Sequence, residues 1–269
     1  MPVVRLAVAV AVLVGVLATA ATAQAPVPTV AVTAGPGSIS VTPTAPIAAG
    51  PTTFEFSRTG RGDIEAYLAT LRAGVTVDEL RATLQSSSDA ALGLVFLEAG
   101  AAPPRSLTVD LRPNTTYVAI SIAGRRSAVT SFTTGDPSGV AAPAPDARVR
   151  MFDYGFRGPK TLPRNGVVRV QNTGAAYHFA LGFPLQSGVT GRQVRQAFSG
   201  GSDRLLGRIV AGPPFSLQSL ISPGTTNDNA VRFPRRGRYA FVCFFGEPNR
   251  LGCTRSSGSD KALICLQID

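Results

Sequence analysis

The stretch Gly237-Arg238-Tyr239-Ala240-Phe241-Val242-Cys243 has one charged residue followed by five apolar or aromatic ones, a pattern that predicts a buried β-strand ending at a cysteine. Two further strand-like segments precede it, at 152–156 and 167–172. His178 follows the second of these, and a closing apolar run occupies 262–268. The order of these segments predicts a β-sheet protein with a histidine and a cysteine at strand ends.

Composition favours the same class. Charged residues make up 16% of the 269 residues, and the chain has 28 Gly, 21 Pro and no Trp, which is typical of many short strands and turns. One His and three Cys exclude multi-histidine zinc enzymes and paired CxxC zinc sites. No G-x-S-x-G nucleophile motif or glycine-rich phosphate loop is present, so we expect no enzymatic activity.

The chain repeats itself. A shift of 114 residues aligns Gly74-Val75-Thr76 with Gly188-Val189-Thr190, and eight of the 20 positions from 74 to 93 match without a gap. An insertion of eight residues then changes the offset to 122, which pairs Tyr117 with Tyr239. This pattern predicts two tandem copies of one domain.

Each copy has the signal for one short helix between its early and late strands. Thr76 is followed by Glu79, and Thr190 is followed by Gln193. Both pairs fit a capping box, in which the hydroxyl and the acidic or amide group bond to free backbone N–H groups of the first helical turn. We therefore predict one helical insertion in each sandwich.

The first residues fit a secretory signal peptide. Arg5 precedes an apolar run from Leu6 to Ala18, and the small residues of 21–23 offer a cleavage site after Ala23. The alternative is an uncleaved membrane anchor. No later stretch is long and apolar enough to span a membrane, so we expect the protein to be secreted, extracellular or attached to the cell envelope.

The predicted organisation is a signal peptide at 1–23, a first sandwich at 24–135, a Pro/Ala-rich linker at 136–146 and a second sandwich at 147–269.

The second copy resembles the cupredoxins, the blue-copper β-sandwich proteins. In that family a His follows an early strand, and a strand with the pattern G-x-Y-x-x-x-C supplies a thiolate; here His178 and Cys243 occupy those positions. By repetition the resemblance extends to the first copy. It implies an all-β fold of two tandem Greek-key sandwiches.

The resemblance implies copper ligands, but the set is incomplete. Type 1 copper is held by two His, one Cys and a weak axial Met. His178 is the only His in the chain, and Gly252-Cys253 stands where the family has its Gly-Met pair. In the first copy, Ile64 and Ser121 replace His178 and Cys243. We therefore expect no metal cofactor and interpret His178, Cys243 and Cys253 as vestigial candidates.

Export places the cysteines in an oxidising compartment, where pairing is expected. If the family geometry holds, Cys243 and Cys253 both border the former metal cavity and can form a disulfide. The alternative pairing joins Cys253 to Cys265.

The positive charge is concentrated in the second half. Residues 26–139 carry a formal charge of −1, whereas residues 140–269 carry +10. Four arginines form a candidate anion-binding cluster beside the Tyr239 strand: Arg232, Arg235, Arg236 and Arg238. Outside a cell, such a cluster would attract anionic cell-wall polymers or lipid head groups. We expect no nucleic-acid partner, because export and the lack of interleaved aromatic residues argue against one.

These observations lead to two hypotheses. The first is a secreted, non-enzymatic binding or structural protein, built on cupredoxin-like domains that have lost the copper site. The alternative is a divergent copper-binding or electron-transfer protein that uses His178, Cys243 and Cys253, since thiolates favour Cu(I).

Overall fold

The computed structural model describes residues 25–43, 46–153, 155–199, 203–243 and 262–268; for Ser199 and for 262–268 it describes the backbone alone. Strands dominate these ranges, so the prediction of an all-β class is confirmed. No helix within them is long and apolar enough to cross a membrane. The predicted signal peptide at 1–23 lies outside the described residues.

The elements of the first half come in the order strands, two helices, strands. They are β1 (Thr29–Gly35), β2 (Ser38–Thr42), β3 (Ile47–Arg58), β4 (Glu65–Leu71), α1 (Val77–Ser86), α2 (Ser88–Leu92), β5 (Val95–Ala101), β6 (Arg105–Leu111), β7 (Thr116–Ala123) and β8 (Arg126–Pro137).

The second half has the same order of strands and helices. Its elements are β9 (Ala147–Phe152), β10 (Gly155–Arg157), β11 (Thr161–Leu162), β12 (Asn165–Asn172), β13 (His178–Pro184), α3 (Gly191–Ser199), α4 (Asp203–Ile209), β14 (Phe215–Ile221), β15 (Thr226–Arg232), β16 (Gly237–Cys243) and β17 (Ala262–Ile268).

The strand registers repeat with the two offsets found in the sequence. Phe54 of β3 pairs with Leu107 of β6, and Val168 of β12 pairs with Asn229 of β15, so the partners differ by 114 and by 122 residues. The same holds for the central strands, where Tyr67 pairs with Ile120 and Leu181 with Val242. These two pairs of strands therefore have the same register in both halves.

Each half is a two-layer sandwich. In the first, β1, β3 and β6 form one layer and β5, β4, β7 and β8 form the other. Alternating residues of β3 explain the packing: Phe54 and Phe56 are buried in the core between the layers, whereas Glu55 faces outward. In the second half, β9, β12 and β15 face β14, β13, β16 and β17 around a separate core.

The helical insertion predicted for each copy is present, and it contains two short helices rather than one. The predicted caps are present: Thr76 Oγ1 accepts the N–H of Glu79 at 3.1 Å, and Thr190 and Gln193 bond reciprocally at 3.3 and 2.8 Å. The extra helix in the first copy begins after Ser87, whose side chain accepts the N–H of Ala90. Ser87 therefore acts as a second N-cap.

The two sandwiches share a sheet. Strand β15 pairs antiparallel with β6, with Asp228 opposite Thr108, which joins the β1 layer of the first copy to the β9 layer of the second. At the other layer, Ser222 and Leu97 exchange hydrogen bonds of 2.7 and 3.0 Å.

A half-buried arginine also crosses this joint. Arg105 of β6 donates to the carbonyl oxygens of Ser216 and Leu217 and, at 3.1 Å, to Oδ1 of Asn229. Burial lowers the pKa of Arg105 to about 10.

One predicted strand is interrupted. The segment 152–156 was expected to be a single strand, but β9 ends at Phe152 and β10 begins at Gly155 and turns back antiparallel to it. Asp153 therefore lies in a tight turn, and this turn forms part of the site described below.

Candidate functional site at His178, Cys243 and Asp153

The structure brings together the two described residues that the family resemblance singled out. His178 begins β13 and Cys243 ends β16; because these strands are antiparallel neighbours, both residues lie at the same end of the sandwich. Nδ1 of His178 is 3.4 Å from Sγ of Cys243. Each residue is only 3% exposed. The imidazole and the thiol thus meet inside the protein.

The other ring nitrogen is bonded to a carboxylate. Nε2 of His178 is 3.0 Å from Oδ1 of Asp153. A proton on Nε2 that is donated to this oxygen leaves the lone pair of Nδ1 directed at the thiol. Asp153, His178 and Cys243 therefore form a continuous chain of hydrogen bonds, which we call the His178 cluster.

Backbone donors hold the carboxylate in place. The Asp153 oxygens accept the N–H of Ala175 at 2.9 and 3.1 Å and the N–H of Ala176 at 3.2 Å. The bonds from Ala175 are the main reason that the pKa of Asp153 lies below its usual value; partial burial opposes them, and the bond from His178 reinforces them. The carboxylate is thus kept ionised.

A second side chain fixes the loop that leads to His178. Asn172, which is fully buried, accepts the N–H of Gly174 at 3.0 Å and donates to the carbonyl oxygens of Ala176 and Ile221. A Cβ atom at Gly174 would lie 2.6 Å from Nε2 of His178 and 2.8 Å from the backbone nitrogen of Asp153. Only glycine fits here without displacing the cluster.

Sequence reasoning missed Asp153 and Asn172. The signal for Asp153 was the sequence Asp153-Tyr154-Gly155 between two phenylalanines, since Asp and Gly are characteristic turn residues. Asn172 had no such signal, because its role depends on the carbonyl groups that the fold brings around it.

The first copy lacks the cluster. Val32 of β1 pairs with Phe56, and Val149 of β9 pairs with Val170, the equivalent of Phe56 in the second copy. Val32 therefore corresponds to Val149, and four residues further along each chain segment Pro36 corresponds to Asp153. Ile64, buried in the core, replaces His178. Ser121 replaces Cys243, and its hydroxyl donates to the carbonyl oxygen of Gly35 at 2.9 Å. The polar chain is therefore a property of the second copy alone.

The predicted arginine cluster lies at the opposite end of the second sandwich. Arg232 pairs with Asn165 at the start of β12, whereas the His178 cluster lies beyond the end of β12. Arg235 and Arg238 donate to the carbonyl oxygens of Ala211 and Val189 at 3.1 and 2.6 Å. Together with Arg232 and Arg236 they are exposed to solvent.

Both predicted disulfides include Cys253, which lies outside the described residues, so they stay predictions. The backbone of Cys265 lies opposite Ala240. Within the described ranges, no group of three or more His, Cys, Asp or Glu residues could hold a metal ion. Asp153 and Cys243 contact opposite nitrogens of the His178 ring, so the three side chains do not converge on one point.

No protein-family model and no curated protein matches the chain. Among solved structures, auracyanin B is 18% identical, with 49% of this chain and 95% of that one covered and a TM-score of 0.26. Auracyanin A from Chloroflexus aurantiacus, titled a "blue" copper protein, is 12% identical over 45% and 99% of the two chains, with a TM-score of 0.24. Copper nitrite reductase from Nitrosomonas europaea is 10% identical over 90% and 93%, with a TM-score of 0.25.

All of these TM-scores are below 0.5, and the assignment of the fold rests on the strand order and pairing of the chain itself. These show the all-β sandwich architecture that the sequence predicted.

Proposed function

We propose that this chain is a secreted, non-enzymatic binding protein in which a hydrogen-bonded cluster stands where cupredoxins hold copper. The observation that carries the proposal is the engagement of both His178 nitrogens, one by the Cys243 thiol at 3.4 Å and one by the Asp153 carboxylate at 3.0 Å. A buried imidazole with both nitrogens satisfied has a structural role without any ligand.

The donor set does not fit type 1 copper. That centre needs two imidazoles and a thiolate, and His178 is the only histidine of the chain. A second imidazole cannot come from the first copy either, since Ile64 and Ser121 replace the ligand positions there.

The thiol of the cluster is too buried to meet a substrate. A hydrogen-bonded series of Asp, His and Cys side chains can activate a thiol as a nucleophile. Such a thiol must be reachable, however, and Cys243 is 3% exposed and packed within the second core. This burial supports a non-enzymatic role.

We assign the binding role to the basic end of the second sandwich, with anionic cell-wall polymers or lipid head groups as partners. The arginine cluster of Arg232, Arg235, Arg236 and Arg238 is solvent-exposed. Two of its members are held by backbone carbonyls, which fixes their position without neutralising their charge. A fixed group of positive charges favours a polyanion over a single small ion.

The test is metal analysis and binding on protein exported to the periplasm of a host grown with added copper. We expect no stoichiometric copper. We also expect the protein to bind vesicles that contain phosphatidylglycerol, and this binding should weaken as the salt concentration rises. The double variant Arg232→Gln/Arg236→Gln should bind these vesicles more weakly, and vesicles of phosphatidylcholine alone should not bind the protein. One equivalent of copper with an intense blue absorption would overturn the proposal, as would vesicle binding that is indifferent to those substitutions.

A divergent copper-binding or electron-transfer site is the second candidate. The separation of 3.4 Å between Nδ1 and Sγ is close to the ~3.5 Å expected for a nitrogen and a sulfur bound to one tetrahedral metal, taking bonds of about 2.0 and 2.3 Å as for zinc. Cys253 would supply a third ligand. This candidate requires about one equivalent of bound copper, which should be lost in His178→Asn. It also requires that Cys243 and Cys253 are free thiols, so both should react in a thiol titration of protein that has not been treated with a reductant.

A further inference from the structure

The outer face of the second sandwich has two arginines side by side near the turn that carries Asp153. Arg150 of β9 and Arg157 of β10 are direct cross-strand partners, and both are exposed. Neither has a salt bridge or a hydrogen bond to another side chain within the ranges that the structure describes. Like charges directly opposite each other destabilise a sheet, so this pair costs the fold stability.

The same two arginines line a cleft of about 260 Å³ together with Phe152 and Thr173. Its walls are set by local structure. The Phe152 ring lies against Gly155, where a Cβ atom would be 2.5 Å from Cζ of the ring. The hydroxyl and N–H of Thr173 both donate to the carbonyl oxygen of Met151, at 3.0 and 2.7 Å, which ties this wall to β9.

We infer that this cleft binds a small anion carried on an apolar ring, with an aryl phosphate or aryl carboxylate as its chemical class. Two adjacent guanidinium groups suit an anion with two or more oxygens, because each group presents a planar fork of N–H donors. Phe152 is the one large hydrophobic side chain that is exposed within the described part of the chain, at 36%, and it supplies an apolar wall for the ring.

The size of the cleft favours a small ligand over a polymer. Its volume is just below the roughly 300–1,000 Å³ of pockets that hold drug-sized molecules. The site is also distinct from the arginine cluster of the proposed function. On β12, Gln171 lies opposite Arg150 and Asn165 lies opposite Arg232. These two positions are six residues apart, which corresponds to about 20 Å along the strand.

Phenyl phosphate is the probe, titrated into the full exported chain and followed by calorimetry and NMR. We expect saturable binding that weakens by about tenfold or more in Arg150→Gln and in Arg157→Gln, since each change removes charge-assisted hydrogen bonds. Arg148→Gln is the matched control, because Arg148 is exposed on the same face of β9 but does not line the cleft. It should bind as the unsubstituted protein does.

Two further measurements separate the contribution of the anion to binding from the contribution of the ring. Inorganic phosphate should bind more weakly than phenyl phosphate, and Phe152→Ala should remove most of that difference. Benzyl alcohol, which has the ring without the charge, should not bind. Thermal unfolding of each variant reports on the fold; the two cleft substitutions should leave Tm unchanged or raise it, because they relieve like-charge repulsion.

The inference fails if phenyl phosphate shows no saturable binding, or if Arg148→Gln weakens binding as much as Arg150→Gln does. The second outcome would show a diffuse basic surface only. Arg232→Gln/Arg236→Gln should leave phenyl phosphate binding unchanged, so failure of this inference and failure of the proposed function are distinguished by separate variants.

Discussion

Nε2 of His178 lies 3.0 Å from Oδ1 of Asp153, although 25 residues separate the two along the chain. The contact exists because the β9–β10 turn and the loop before β13 meet at one end of the second sandwich. Asp153 holds this loop by accepting the N–H groups of Ala175 and Ala176. The carboxylate therefore positions the imidazole in two ways: it bonds to the ring directly, and it bonds to the backbone of the loop that leads to His178.

The first prediction concerns Asp153→Asn. An amide has nearly the same shape but no charge, so we expect the free energy of unfolding near pH 7 to fall by about 1 kcal/mol, a low value because the side chain is 37% exposed. The folded-state pKa of Asp153 is depressed, so its contribution is complete above the unfolded-state pKa and is lost as pH falls through the folded-state value.

Urea denaturation of both proteins from pH 7 to pH 2.5 measures this effect. The stability difference should be constant above about pH 5 and should shrink below about pH 4. A difference that is independent of pH down to the lowest value would show that the carboxylate charge contributes nothing.

The second prediction compares two glycines. In Gly174→Ala the new methyl group would meet the backbone nitrogen of Asp153 at 2.8 Å, so we expect a loss of about 1–3 kcal/mol. Gly207 lies in α4 with nothing within 4 Å of its added Cβ, and Gly207→Ala should stabilise the protein by up to about 1 kcal/mol. Chemical denaturation of the pair provides the measurement, and equal effects at both positions would contradict the packing described for the His178 cluster.

The third prediction concerns the joint between the sandwiches. Arg105→Ala removes the guanidinium group that donates to the carbonyl oxygens of Ser216 and Leu217, and we expect a loss of about 2 kcal/mol. Arg125→Ala, at an exposed turn, should change stability by less than about 0.5 kcal/mol. A result in which the two substitutions have the same effect would mean that the buried guanidinium does not hold the joint together.

The fourth prediction tests the helix caps in both copies. Thr76→Ala and Thr190→Ala each remove a hydroxyl that accepts an N–H of the first helical turn, and each should cost about 1 kcal/mol. Thermal unfolding with calorimetry gives the values. If one substitution has no effect, the cap in that copy does not contribute to stability.

Much of the architecture could be predicted because it depends on local patterns. The apolar run from Tyr239 to Cys243 indicated a strand, and the pair Thr190 and Gln193 indicated a helix start. The internal repeat, with its two offsets, then transferred each assignment to the other copy. These signals need only neighbouring residues, so they can be seen before any fold is known.

The remainder depends on contacts between distant segments. The second helix of the insertion was missed because Ser87 reads as part of a polar run, although its side chain caps α2. Asp153 was predicted to lie within the strand at 152–156, because phenylalanines, which favour strands, stand on both sides of it. The cleft at Arg150 and Arg157 was not predicted, since only the register of β9 and β10 makes these two residues partners.

The pairing of β15 with β6 has a consequence for how the molecule unfolds. Each sandwich closes one open edge of the other, so removing either would expose a row of unsatisfied N–H and C=O groups together with the charge of Arg105. The two halves should therefore lose their structure in a single cooperative transition. We therefore expect the proline-rich linker at 136–146 to join two halves of one cooperative folding unit rather than two domains that fold independently.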